Sequence, residues 1–313
     1  MKSQEKIQQL KKCIQESLTH LIDSDYVLLD VPYYTNIGDT LIWEGTKQFL
    51  KGIPHKCLGT ASVETYKYRP LPADAIILMQ GGGNFGDLWR RHQDLRLEVV
   101  KAYPNNRIII LPQTVFYKDK LVFEADAKIL NSHKNLYICA RDTCSLEYLQ
   151  KSLTCNLLLT PDMAFCIADK LLRKYSKEKG GKVLFLKRKD PEFCEYDFDS
   201  YITEGCAQVD TCDWPTMERS YKTLRIFDKL LRRKERLKRI PDIYADWIFR
   251  PFQVRKGVEF ISQYKKVYTT RLHVAILSLL LDKEIVFFDN SYGKNSSFYD
   301  TWLAGVDNIK FIK

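Results

Sequence analysis

Residues 75–87 read AIILMQGGGNFGD, and the fold turns on how this stretch is interpreted. From Ala75 to Met79 every residue is apolar, with none of the polar alternation that a half-exposed strand shows. Such a run fits a strand buried on both faces, the kind found in parallel sheets covered by helices. Further strands read on either side of it, in YVLLD (26–30), HKCLG (55–59), RIIILPQ (107–113), NLYICAR (135–141) and NLLLTPD (156–162), most of them continuous apolar runs. Helical patterns fall between several of these runs, at about 40–50, 90–102 and 143–151. Strand and helix in alternation imply a doubly wound parallel sheet.

A second set follows. The basic segment KLLRKYSKEKGGK (170–182) reads as a linker. Beyond it come KVLFLKR (182–188), KVYTTR (266–271), the helical run HVAILSLLL (273–281), EIVFFDN (284–290), a helix over 297–304 and NIKFIK (308–313). This predicts an α/β protein of two Rossmann-like lobes, residues 1–172 and 173–313, with a central cleft at the strand carboxyl ends. Residues 190–255 are less regular and contain Trp214, Trp247 and several prolines.

Composition narrows the class. A chain of 313 residues suits two medium domains, because single cores stop growing near ~250–300 residues. At the amino terminus Ile7, Leu10, Ile14, Leu18 and Leu21 recur at helical spacing among charges, an amphipathic helix rather than an export signal. The longest apolar run, Val274 to Leu281, is far short of the ~20 residues that span a bilayer. Nine cysteines are scattered without CxxC spacing and do not cluster with the five histidines. That pattern suggests reduced thiols and neither a disulfide framework nor a zinc site. These features lead to a cytosolic location. The net charge of +10 favours an anionic partner, whether phosphorylated substrate, membrane surface or nucleic acid.

Four segments carry candidate chemistry. In Tyr34-Thr35-Asn36-Ile37-Gly38-Asp39-Thr40, Asn36 and Gly38 permit a tight turn, and Asp39 or Thr40 can cap the helix that follows. The free N–H groups of such a helix start attract anions. In Gln80-Gly81-Gly82-Gly83-Asn84-Phe85-Gly86-Asp87 the spacing G-x-G-x-x-G occurs. A dinucleotide site is nevertheless rejected, since RIIILPQ ends without the acidic residue that would bind ribose. Gly82, Gly83 and Asn84 remain candidates to expose backbone to a phosphate, sugar or carboxylate. In Thr269-Thr270-Arg271-Leu272-His273, Arg271 can grip a carboxylate or phosphate and His273 can exchange a proton. Lys294, in SYGKNS, Arg141 and Arg188 supply further cations at strand ends. Lastly, residues 221–239 (YKTLRIFDKLLRRKERLKR) read as a basic amphipathic helix, able to lie on an anionic membrane or to pack on its own domain. No aromatic stacking motif or zinc module supports nucleic acid.

NIGDTLIWEG, ILMQGGGNFGDLW, IILPQT, ARD with SLEYL, TPDMAF, TTRLHVAILSLLL and DNSYGK occur in this order from about residue 30 to 300. In this ordered set the chain resembles the polysaccharide pyruvyl transferase family. The resemblance implies a GT-B-like fold and transfer of pyruvate from phosphoenolpyruvate onto two hydroxyls of one sugar, as a cyclic ketal, with phosphate release. It puts the family's Arg-Leu-His trio at Arg271, Leu272 and His273, and a later basic residue at Lys294. It also implies a lipid-linked or nucleotide-linked saccharide acceptor, no metal or organic cofactor, and peripheral attachment to the inner membrane face. Two other readings use the same residues. One is a GT-B glycosyltransferase that consumes a nucleotide sugar; the other is a basic protein that binds membranes or nucleic acid through 221–239.

Overall fold

The computed structural model of the chain describes residues 1–177, 181–186, 209–215, 218–232, 234, 236, 237, 239–289 and 293–313. Its first sheet contains β1 (Tyr26–Leu29), β2 (Cys57–Ala61), β3 (Ile76–Met79), β4 (Gly82–Gly86), β5 (Ile108–Phe116), β6 (Leu136–Ala140) and β7 (Asn156–Leu159). The order is β2-β1-β3-β5-β6-β7, with β4 paired to β5 beyond the end of β3, and the pairings are parallel. All four residues of β3 are buried, each contributing about 1.5–3 kcal/mol of transfer free energy. That burial on both faces is why the sequence shows no alternation there.

Helices α1 (Ser3–Leu18), α2 (Ile37–Leu50), α3 (Arg90–Ala102), α4 (Lys120–Asn131), α5 (Thr143–Gln150) and α6 (Asp169–Tyr175) accompany this part of the chain. In α1 the predicted apolar stripe is fully inside: Ile7, Leu10, Ile14 and Leu18 are buried. The linker read over 170–182 begins instead as a helix, α6, whose Leu172 is buried.

The second sheet holds β8 (Lys182–Leu186), β9 (Val209–Cys212), β10 (Tyr264–Thr269), β11 (Glu284–Phe288) and β12 (Ile309–Ile312), all parallel in the order β12-β11-β10-β8-β9. On one face Phe185 stacks on Tyr268 at 4.3 Å between ring centroids, and Tyr268 on Phe288 at 6.5 Å. Its helices are α7 (Glu218–Leu231), α8 (Ile240–Tyr244), a π-helical turn (Ala245–Phe249), α9 (Arg250–Ser262), α10 (Leu272–Leu280) and α11 (Lys294–Phe298). The helix read over 221–239 therefore stops at Leu231. Within the stretch 190–255 that reads as less regular, residues 218–231 and 240–255 are helical, with Leu224, Ala245, Phe249 and Val254 buried.

Both sheets share one winding rule. The chain enters in the interior, steps to one edge for its second strand, and returns past the first for its third. The crossover points, β1/β3 and β8/β10, are where ligands bind in open sheets of this type.

The chain divides into two compact units, and not at 172/173. One comprises residues 1–10, 34–45 and 164–313, the other 11–33 and 46–163. Side-chain contacts explain the exchange of short segments. The terminal ammonium bonds Asp307 at 2.7 Å and Ser3 Oγ bonds Asp282 at 2.6 Å, while Glu44 of α2 pairs with Arg250 of α9. Periodicity reports that a segment is a helix, not which sheet it serves.

Candidate active site

The second sheet's crossover point carries the Arg-Leu-His segment. Arg271 is the cap residue of α10 and is extended (φ −96°, ψ 119°). Its backbone N–H donates to Thr269 Oγ1 at 2.9 Å. Its Nε and Nη2 donate to the two carboxylate oxygens of Asp213 at 2.8 and 2.7 Å. This is the two-pronged geometry that orients a guanidinium most firmly. Asp213 directly follows β9, which is separated from β10 by β8, so the ends of two strands of one sheet hold the pair across the strand between them. Asn295 braces the same edge: its Nδ2 donates to Thr270 O at 2.7 Å and to Phe288 O at 2.9 Å. Lys294 precedes it as the first residue of α11, behind Gly293, which caps the helix in the left-handed region (φ 68°).

The turn before α2 meets this segment. Asn36 is the cap: its Oδ1 accepts from the Asp39 N–H at 3.3 Å, and its Nδ2 returns a bond to Asp39 Oδ2 at 2.8 Å. Tyr34 OH donates to the same oxygen at 3.0 Å. The sequence reading had Asp39 or Thr40 as the cap; both lie inside the helix, and Thr40 Oγ1 donates back to Asn36 O. Reciprocal bonding of this kind fixes the entry angle of a helix. With α2 so aimed, Gly38 lies against the imidazole. A Cβ there would stand 2.8 Å from His273 Nδ1 and 3.2 Å from His273 Cβ. One residue earlier, Ile37 fills the gap above Gly257 of α9, where a Cβ would meet its Cγ2 at 2.7 Å. Further along α2, Arg250 pairs with Glu44 and stacks over Trp43 at 5.4 Å. Burial lowers the Arg250 pKa to about 10.

The glycine motif belongs to the other unit and is built differently from the open loop expected. Residues 82–86 are strand β4, paired with β5. Gly86 adopts φ +130°, and a Cβ there would lie 1.7 Å from Phe116 O; at Gly81 one would lie 2.6 Å from Pro112 O. Both glycines serve backbone packing. Gly82 is buried. Gly83 faces Arg141, whose Nη2 would be 3.2 Å from its Cβ. The Asn84 side chain accepts from Arg96 Nη2 at 2.5 Å. Arg96 is fully buried and also bonds Asp30, a non-glycine residue at φ 63° that contacts His92 Nδ1 at 2.7 Å.

Arg141, expected as a cation at a strand end, is buried. Its Nη1 pairs with Asp162 at 2.7 Å and its Nε with Thr114 Oγ1 at 2.7 Å, beneath a chain that leaves it 4% exposed. Leu272 is likewise buried. Arg188 lies outside the described residues. Within one unit the structure thus brings together Asn36, Gly38, Asp39, Arg271 and His273. It groups Gly82, Gly83, Asn84 and Arg141 in the other.

Sequence reasoning missed Asp213, Glu44, Asp30 and Arg96. An aspartate ending a strand run was visible in YVLLD and VDTCD, but its partner, distant in sequence, was not. Among the described residues no cluster of three His, Cys, Asp or Glu could hold a metal, and no helix is long and apolar enough to cross a membrane.

Comparison with known proteins adds to this geometry. The polysaccharide pyruvyl transferase family profile matches residues 36–292. EpsO of Bacillus subtilis, named a pyruvyl transferase, is 31% identical over 96% of this chain and 94% of its own length. Pyruvyl transferase 1 of Schizosaccharomyces pombe is 28% identical over 89% of this chain and 69% of its own. General stress protein 30 of B. subtilis is 28% identical over 91% of this chain and 79% of its own. In fold, the chain is similar to the crystal structure of an uncharacterized protein from Klebsiella pneumoniae, with a TM-score of 0.63, 23% identity, and coverage of 97% and 98% of the two chains.

Proposed function

From the fact that this chain belongs to the polysaccharide pyruvyl transferase family, we propose that it moves pyruvate from phosphoenolpyruvate onto a sugar of a lipid-linked or nucleotide-linked polysaccharide precursor. The product is a cyclic ketal, and inorganic phosphate leaves. The observation that supports this reading best is the contact of His273 with Gly38 beside the Arg271–Asp213 pair. In this reading a proton carrier, His273, stands two residues along the chain from a guanidinium that Asp213 orients, both following β10 at a sheet crossover point.

The chemistry asks for those two groups. A proton goes to the methylene carbon of phosphoenolpyruvate, which becomes a methyl group, and the adjacent carbon becomes oxocarbenium-like. One sugar hydroxyl adds there and gives up its proton. The carbon–oxygen bond to phosphate breaks, and the second hydroxyl closes the ring while its proton leaves with phosphate. In this scheme His273 supplies the first proton or removes the hydroxyl proton, and Arg271 and Lys294 hold the donor's anionic groups. We read the two Rossmann-like sheets as a GT-B-like pair, used for a different reaction.

The test incubates the protein with a saccharide acceptor and either phosphoenolpyruvate or a nucleotide sugar, following phosphate release and acceptor mass. Phosphate release and pyruvylated acceptor are expected with phosphoenolpyruvate alone, and His273→Ala should abolish both. Turnover of the nucleotide sugar, or full transfer by the His273→Ala variant, would sink the reading.

A further inference from the structure

A helix at the surface of a globular protein is apolar toward the core and polar toward water. The continuous helical run 240–262, made of α8, the π-helical turn and α9, breaks this rule over its first half. Its inner side is ordinary: Ala245, Phe249, Val254 and Val258 are buried. Its outer side is also apolar. Ile240, Ile243, Trp247, Ile248 and Phe252 are all exposed, Trp247 by 74%. The neighbouring helix α7, joined to it by the edge-on contact of Phe227 with Tyr244 and by Arg232 bonded to Asp242, exposes Ile226 and Leu230 as well. So many large apolar side chains on consecutive elements mark an interaction surface.

Charge identifies what it meets. Lys229 of α7 and Lys234, Arg236 and Arg239 of the segment leading from α7 to α8 are exposed, and Lys256 lies over the Phe252 ring at 5.7 Å. A second copy of this chain docked on the same patch would bring cations against cations, which opposes association. An anionic bilayer meets both requirements. Apolar side chains enter the acyl boundary, tryptophan sits at the headgroup level, and cations engage lipid phosphates.

We propose that the 240–252 helix face, with α7 beside it, is a docking surface for an anionic lipid bilayer. It holds the protein on a membrane without spanning it. The sequence pointed to residues 221–239 through their charge; the structure moves the insertion surface to Ile243, Trp247, Ile248 and Phe252, with the basic segment as its electrostatic flank. The inference does not depend on which donor the enzyme uses.

The test is flotation of the full-length protein with phosphatidylcholine vesicles, with and without phosphatidylglycerol, at low and high salt. The wild type should float with anionic vesicles only, and less so at high salt. Trp247→Glu with Ile248→Glu should lower the partition by more than about tenfold with an unchanged melting temperature. If that pair fails to fold, Trp247→Ser replaces it, and wild-type tryptophan emission should shift to the blue on adding anionic vesicles, with the shift lost in the variant. A wild type that stays in the aqueous fraction, or a variant that floats equally well, would overturn the proposal. So would a wild-type dimer that the substitutions convert to monomer, because a second copy would then cover the patch.

Discussion

Nδ1 of His273 lies 2.8 Å from the position a Cβ on Gly38 would occupy. The close approach couples two motifs more than two hundred residues apart in the chain. Gly38→Ala must therefore push the imidazole aside, since the α2 backbone is anchored by the Asn36–Asp39 cap and by Ile37 over Gly257. We expect kcat for pyruvyl transfer to fall by about a hundredfold, the scale of a displaced reacting group. The fold should hold, because alanine suits a helix. Steady-state kinetics alongside a thermal melt check this.

Asp213 is a positioning residue for Arg271. Asp213→Asn keeps the shape but removes the charge and one acceptor of the two-pronged contact, so the guanidinium loses its fixed plane. The KM for phosphoenolpyruvate should rise by about tenfold with a smaller change in kcat. The cost in stability should be about 1–2 kcal/mol, the scale of a hydrogen bond to a charged group. Asp213→Glu should recover part of the KM change, which a purely structural role would not require.

The Arg141–Asp162 pair should behave as a buried structural unit. Asp162→Ala leaves a guanidinium uncompensated and should cost about 3–5 kcal/mol, whereas Arg141→Met with Asp162→Leu should regain most of that. Urea unfolding of the three proteins decides it.

Cys139 controls part of the alkaline limit. Burial in β6 pushes its thiol up to about 12, from an ordinary value of 9.0. The unfolded chain therefore releases this proton first as pH rises. Below about pH 9 the contribution is complete, and it is lost as pH climbs toward 12, because the folded state then holds more protons than the unfolded one. Cys139→Ala should flatten the fall in stability between those limits, measured as unfolding free energy against pH.

Much of the architecture was legible in the chain. Buried parallel strands leave a local signature, an unbroken apolar run, so AIILMQ and EIVFFDN were placed almost to the residue. Residues 240–255, part of the stretch 190–255 that shows no regular pattern in the sequence, are helical but apolar on the outside as well as the inside, which blurs the helical period. The glycines at 81–86 announced close approach to something. That the neighbour is the backbone of β5 at Pro112 and Phe116 depends on strand pairing, which local sequence does not encode.

Sequence alone determined the doubly wound α/β class and the presence of an Arg-Leu-His switch after a strand, since both follow from local pattern. Only the tertiary structure decided that Gly38 receives His273, that Asp213 grips Arg271, that Arg141 is buried against Asp162, and that an apolar stripe around Trp247 faces outward. The physical reason is the same in each case. An ion pair, a steric fit or an exposed face is a relation between side chains distant along the chain, and it exists only once the strands and helices of one unit have packed.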